Sequence, residues 1–317
     1  MARLVLALLL LAGVAAGPAR AAPPKMLFTD NSVVRVGIDA AKGGAITWLS
    51  WKDYPKNAVN LHDPGRLIQQ SYYAGKSLDR TADGQARSWS PWAWNPVQAG
   101  GVSSWARATQ CQESHGVLYS QSVPKLWDMP DEQAAAQMRQ WTGFEPGMPD
   151  VVVVRCELLC QRSPADRWGP AVRRPQEVPA CYFTRNFSRF ESYLGQGQWR
   201  HETHAPGPPW GLAKPPLQAM ACFDASGQGI ALFSPCATLT WAFGPVGPSQ
   251  SHDPTSPSCV HLSPHTFAAL GPRSTYRYRY WIIVGTQPQL ARRIEALRQK
   301  YGHEKAELTN PPNPSGQ

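Results

Sequence analysis

The sequence predicts an all-β protein, a large antiparallel β-sandwich closed by a short C-terminal helix, and three observations predict it. Short runs rich in β-branched and aromatic residues recur along the chain, among them Ser32–Ile38 (SVVRVGI), Ala45–Trp51 (AITWLSW) and Val151–Leu159. The 31 prolines and 26 glycines are scattered between these runs, so they punctuate many short elements and oppose long helices. Tyr276–Ile282 (YRYRYWI) alternates aromatic with arginine, the period of a strand with one buried face.

The remaining elements follow in chain order. Gly43-Gly44 supplies a turn into Ala45–Trp51, and Ala180–Phe183 is a short strand. The run 125–150 is polar and bounded by proline and glycine, and reads as a long loop with a helical turn within 131–140. Ala219–Phe223 and Ile230–Phe233 flank a turn containing Gly227 and form a hairpin. From about Pro288, Leu290, Ile294, Leu297 and Tyr301 fall at helical spacing among basic residues. No repeat of propeller or solenoid period is present. The organisation read from these signals is a leader at 1–21, a sandwich at 22–285, a helix at 286–305 and a disordered tail at 306–317.

The leader assignment rests on Arg3, the apolar run Leu4–Ala16 and the small residues of Ala19-Arg20-Ala21. A membrane-spanning helix needs about 20 apolar residues, and this run is shorter and is followed by Gly-Pro. A signal peptide implies a secreted or periplasmic protein with no membrane span. In an oxidising compartment the seven cysteines, Cys111, Cys156, Cys160, Cys181, Cys222, Cys236 and Cys259, have the number for up to three disulfides with one thiol left over. Cys156 and Cys160 share a strand four residues apart, so they point to one face and are too distant to pair with each other.

Charge narrows the partners. The chain carries 31 Lys and Arg against 22 Asp and Glu, a formal +9, of which the leader contributes Arg3 and Arg20. The excess is dispersed arginine with no lysine-rich block, which argues against nucleic acid. An exported basic protein is placed to meet an anionic polymer such as a uronic-acid polysaccharide.

Three segments mix polar and aromatic residues more densely than a core strand needs. Asn60–Gly75 holds Arg66, Gln69, Gln70, Tyr72 and Tyr73; on a strand, Arg66, Gln70 and Tyr72 share one face and Gln69 and Tyr73 the other. Trp89–Gly101 holds three tryptophans, Trp94 among them, with Asn95 and Gln98. Tyr193–Trp210 holds Trp199, Arg200, His201, Glu202 and His204. Aromatic faces stack on sugar rings, and Asn, Gln and Arg suit hydroxyls and carboxylates. Arg66, Gln69, Gln70, Trp94, Asn95, Gln98, Trp199, Arg200 and Glu202 are therefore the candidate substrate-binding residues.

The chemistry these types allow is β-elimination on a uronic acid. An arginine or amide neutralises the carboxylate, and Tyr72 or Tyr73, or His201 or His204, removes the C5 proton. A second group protonates the leaving oxygen. Hydrolysis needs two opposed carboxylates, for which Asp63, Glu191 and Glu202 are available. A non-catalytic carbohydrate-binding module is the third reading. No Cys-x-x-Cys spacing, Gly-x-Ser-x-Gly elbow or phosphate-binding Gly-rich loop is present, and no metal or cofactor is expected.

Four passages resemble the galactose-mutarotase-like β-sandwich (supersandwich) superfamily: Gly43–Ile46, Glu177–Tyr182 with Tyr193–Gly195, Ala219–Pro235, and Tyr278–Gly285 leading into the closing helix. The superfamily includes sugar epimerases, polysaccharide lyases and domains of glycoside hydrolases. The resemblance implies the sandwich fold and a carbohydrate-active protein. The histidine and glutamate contexts of its aldose epimerases do not match here, so it assigns no catalytic residue.

Overall fold

In the computed structural model, the structure describes residues 26–61, 65–129, 131–247 and 259–311. The leader at 1–21 and Asp63 lie outside them. Two large antiparallel sheets face each other. One is ten-stranded; its backbone runs in the order Ala108–Ser114, Val117–Ser122, Ala136–Glu145, Met148–Cys160, Thr275–Thr286, Gln228–Phe233, Ala219–Phe223, Arg189–Gly195 and Gln198–Glu202. The other is seven-stranded and centres on Arg173–Thr184 paired with Cys259–Ala269. A three-stranded sheet of Met26–Asp30, Val34–Asp39 and Ala45–Trp51 packs beside them.

The alternation of Tyr276–Ile282 sets the inner face. Tyr276, Tyr278 and Tyr280 are buried between the sheets, while Arg277 and Arg279 point outward. The Gly43-Gly44 turn is required sterically. Both residues have positive φ (63° and 68°), and a Cβ on Gly43 would lie 1.9 Å from the Gln98 carbonyl oxygen.

Two expectations are corrected. The run 125–150 is not a loop: Ala136–Glu145 is a ten-residue strand paired with Val117–Ser122 and Met148–Cys160. Its inward positions alternate as Ala136, Met138, Gln140 and Thr142. The last two are polar, and Gln140 satisfies one of its donors on the Thr142 hydroxyl at 3.1 Å, so the alternation is real but not one of hydrophobicity. The cysteines form no disulfide among the described residues. Cys156, Cys160, Cys181, Cys222 and Cys236 are buried as small core side chains, with Cys156 and Cys160 on one face.

The helix, α1 (Gln287–Tyr301), starts where Gln289 Oε1 accepts the Thr286 backbone N–H at 2.7 Å, with Pro288 in the first turn. Leu290, Ala291, Ile294 and Leu297 form its buried face and pack with Phe223, Phe233 and Trp281 on the outer side of the ten-stranded sheet. Tyr301 stacks on Trp281 at 4.7 Å. Beyond α1 the chain returns as a short strand, Glu307–Thr309, paired with Thr275–Arg277, so the region expected as a tail begins with ordered structure. Among the described residues no helix is long and apolar enough to cross a membrane.

Candidate functional site

Strand alternation places one set of side chains on the face of the seven-stranded sheet turned away from the core. Along Gln69–Ser71 and onward, Gln69, Ser71 and Tyr73 face a cleft, while Gln70 and Tyr72 face inward. In Arg173–Thr184 the cleft side is Pro175, Glu177, Ala180 and Tyr182, with a register shift between Glu177 and Cys181. Glu177 pairs in register with Ser71 on one side and His265 on the other, so three polar residues form a row across adjacent strands. The cleft volume is about 460 Å³, inside the range of about 300–1,000 Å³ usual for small-ligand sites.

The walls are aromatic. Tyr73, Trp92, Trp89 and Trp127 form an edge-to-face chain with successive centroids 6.2, 5.4 and 5.3 Å apart. On the opposite side Trp210 and Tyr182 both pack on the His261 ring, with centroids 4.5 and 4.4 Å away, and meet each other edge to face at 6.4 Å. Two guanidinium groups line the same cleft. Arg66 sits 5.6 Å from the Trp127 ring centroid, and Arg174 donates to the Gly75 carbonyl at 2.6 Å.

The acid–base groups sit in the polar row and beside it. The Tyr73 hydroxyl donates to Glu177 Oε2 at 3.3 Å, and His261 Nε2 lies 3.8 Å from Glu177 Oε1. Burial raises the Glu177 carboxyl above its usual range, with the Ser71 and Tyr73 hydroxyls partly offsetting this. The Tyr73 phenol is held well above its usual value by burial and by the adjacent Glu177 charge. Burial lowers His265 to about 4, and it holds the fully buried His261 well below its ordinary value, with His265 and Arg66 adding to the effect. Near neutral pH this gives a protonated phenol beside an uncharged imidazole.

The lowered histidines set an acid limit. Their depressed folded values contribute stability that is fully present above the unfolded imidazole value near 6.5. That stability is lost as pH falls through the folded value of about 4 for His265. The expected result is a thermal midpoint that declines between about pH 6.5 and 4, with a shallower decline in His265→Gln, measured by calorimetry across that window. Equal slopes in the two proteins would refute the assignment.

The sequence-derived candidates divide between this cleft and elsewhere. Arg66, Gln69, Tyr73 and Asn95 line it. Gln69 is committed to the backbone, donating to the Gly65 carbonyl and accepting from the Ala99 N–H. Asn95 ties Tyr72 O (2.8 Å) to the Trp92 indole (3.2 Å) and so fixes the wall. Tyr72 lies inside the sandwich, edge-on to Tyr276 and Tyr278, with its hydroxyl on Gln70 Oε1 at 2.7 Å. Gln70 in turn donates to Arg139 O, and Gln98 accepts the Gln70 N–H. Trp94 is buried beneath Arg162.

The third segment lies mostly elsewhere. Trp199 packs against Tyr193 and Phe223, Arg200 pairs with Glu202 at 2.8 Å, and His201 is exposed on the same edge strand, Gln198–Glu202. Glu191, one of the carboxylates considered for hydrolysis, bonds Arg189 and Gln287. His204 sits 3.0 Å from the Pro209 carbonyl oxygen and braces the loop that brings Pro208 and Trp210 to the cleft. Glu177, His261, His265 and Arg174 were not among the candidates. The available signal was His261-x-Ser263-x-His265, polar residues at strand period that share a face. Among the described residues no group of three or more His, Cys, Asp or Glu side chains is gathered as a metal site needs.

Fold and site together define a class: a β-sandwich whose seven-stranded sheet carries an aromatic-walled cleft with arginines and a buried acid–base row. No family model matches the chain and no curated protein matches it. Solved structures do. A protein assigned as an aldose 1-epimerase from Escherichia coli is similar at a TM-score of 0.48 and 11% identity, covering 82% of this chain and 99% of that one. A heparan sulfate lyase from Pedobacter heparinus is similar at 0.39 and 9%, covering 83% of this chain and 37% of that one. A Synechocystis protein is similar at 0.45 and 11%, covering 87% and 100%.

Proposed function

We propose that the cleft takes a uronic-acid unit of an anionic polysaccharide and that the protein is a polysaccharide lyase. The observation that carries this reading is the Tyr73 hydroxyl held on Glu177 in a cleft that also contains Arg66, Arg174 and His265. The arginines engage the substrate carboxylate, drawing charge from it and acidifying the C5–H bond. His265, uncharged at neutral pH, takes the C5 proton. The electron pair forms the C4–C5 double bond as the C4–O bond breaks, and Tyr73, protonated, gives its proton to the departing oxygen. Solvent then returns a proton to Tyr73 and removes one from His265.

These roles reverse the tyrosine base expected from sequence, because burial and Glu177 hold the phenol protonated. A substrate carboxylate beside His265 favours the imidazolium and so lifts the base toward its working range. Hydrolysis is less well served, since Glu177 is the one carboxyl among the described residues lining the cleft.

The test is incubation of the purified protein with uronic-acid polysaccharides, read together by the ultraviolet absorbance of an unsaturated uronate and by reducing ends. A lyase gives both signals. Reducing ends without the absorbance would make it a hydrolase, and binding with neither would make it a carbohydrate-binding module.

A further inference from the structure

The outer face of the ten-stranded sheet is only partly covered by α1. Where the helix ends, the face continues as an open groove of about 1,200 Å³ between the strands and the segment following Tyr301. Register places Tyr119, Trp141, Arg155 and Arg279 side by side on four neighbouring strands. Three inter-strand steps of about 4.8 Å make this a row roughly 14 Å long. Tyr119 and Trp141, both half-buried, lean together with centroids 5.2 Å apart and form an aromatic platform at one end.

The charges of the neighbouring arginines are spoken for. Arg139 and Arg277 both bond the Glu157 carboxylate that lies between them in register, at 3.0 and 2.5 Å. Arg279 pairs with Glu304 and lies over the Trp281 and Tyr301 rings. Arg155 differs: it is exposed, has no ion-pair partner among the described residues, and stands directly opposite Arg279. Like charges directly opposite on a sheet are unfavourable. An anion laid across the row would relieve that repulsion.

We propose that this row is a second glycan-binding surface, holding an anionic polysaccharide chain by stacking on Tyr119 and Trp141 and by charge on Arg155. It lies on a different sheet from the cleft, so a chain held here would leave the cleft unoccupied. The choice of an anionic polymer rests on the reading of the cleft given above; the aromatic platform and the unpaired guanidinium do not.

Binding to immobilised polygalacturonate tests the proposal, with turnover of short oligogalacturonates measured in parallel. Trp141→Ala and Arg155→Glu are each expected to weaken polymer binding by about tenfold, with short-substrate turnover unchanged. Arg155→Glu should also flatten the salt dependence of binding. Both positions are on the sheet surface, and Trp141→Phe, which keeps a ring, should retain most of the binding. Tyr73→Phe and Glu177→Gln, which alter the cleft, should still bind the polymer.

If the wild type releases no unsaturated product and yet loses polymer binding on Trp141→Ala, the lyase reading fails and this surface stands. Unchanged polymer binding in both outer-face variants overturns the surface, whatever the cleft does. So does absence of polymer binding by the wild type. Equal retention of duplex DNA on the same residues would overturn the assignment to a glycan.

Discussion

Tyr73→Phe is expected to lower turnover by about 10²–10⁴-fold, the usual contribution of a positioned general acid, while the protein stays folded and still binds substrate. The change removes one hydroxyl whose partner is Glu177 Oε2 at 3.3 Å, so the structural cost is of the order of 0.5–1.5 kcal/mol. Tyr72→Phe is the matched control. Its hydroxyl bonds Gln70 Oε1 in the interior, and deleting it strands a buried acceptor at a cost of about 1–3 kcal/mol. The adjacent tyrosines should therefore separate, one losing turnover and the other thermal stability. Steady-state kinetics and calorimetry on both variants check this; a large loss of turnover per folded molecule in Tyr72→Phe, or none in Tyr73→Phe, would contradict the placement of the acid.

Glu177→Gln is expected to gain stability at neutral pH while losing activity. The Glu177 carboxyl is raised in the folded protein, so its contribution to stability is fully present below the unfolded carboxyl value near 4.5. That contribution is lost as pH rises through the folded value, because the native cleft must then hold a desolvated carboxylate. The side chain is 13% exposed, and its bonds to Ser71 and Tyr73 only partly offset burial. A neutral amide escapes that penalty, so the variant should melt above the wild type at pH 7 and draw level with it in acid. Melting curves at both pH values decide the matter: an amide variant less stable than the wild type at neutral pH would show that the carboxylate is well compensated. A site group kept at a cost in stability is what a catalytic role leads one to expect.

Much of the architecture was legible because strand periodicity is local. The strand 276–282, the hairpin around Gly227 and the helical spacing of Leu290, Ile294 and Leu297 all carry their burial pattern in neighbouring residues. The strand Ala136–Glu145 was missed for the same reason in reverse. Its inward Gln140 and Thr142 are polar yet buried, with Gln140 donating to the Thr142 hydroxyl, so local hydrophobicity does not report their burial. The cysteine count suggested disulfides, yet pairing depends on distances between strands that sequence spacing does not contain.

The first two polar–aromatic segments contributed to the cleft unequally, and alternation explains how. Gln69 and Tyr73 face it while Gln70 and Tyr72 turn into the sandwich, a division that sequence reading drew correctly without knowing which face was wet. Arg66, which precedes the strand proper, lines the cleft with the opposite set and breaks that pattern. Local composition drew attention to His201 and His204, but His201 lies on an edge strand of the other sheet. His204 acts on the loop behind Trp210, whose ring covers His261.

By itself the sequence determined the class of fold, about a third of the strands, the closing helix and several of the polar and aromatic residues that line the cleft. Only the tertiary structure decided which of those residues meet. Glu177 stands between Ser71 and His265 because three strands far apart in the chain lie in one register on one sheet. Burial in that shared row then sets which groups hold protons, and burial is a property of the packed sheets that no single segment carries.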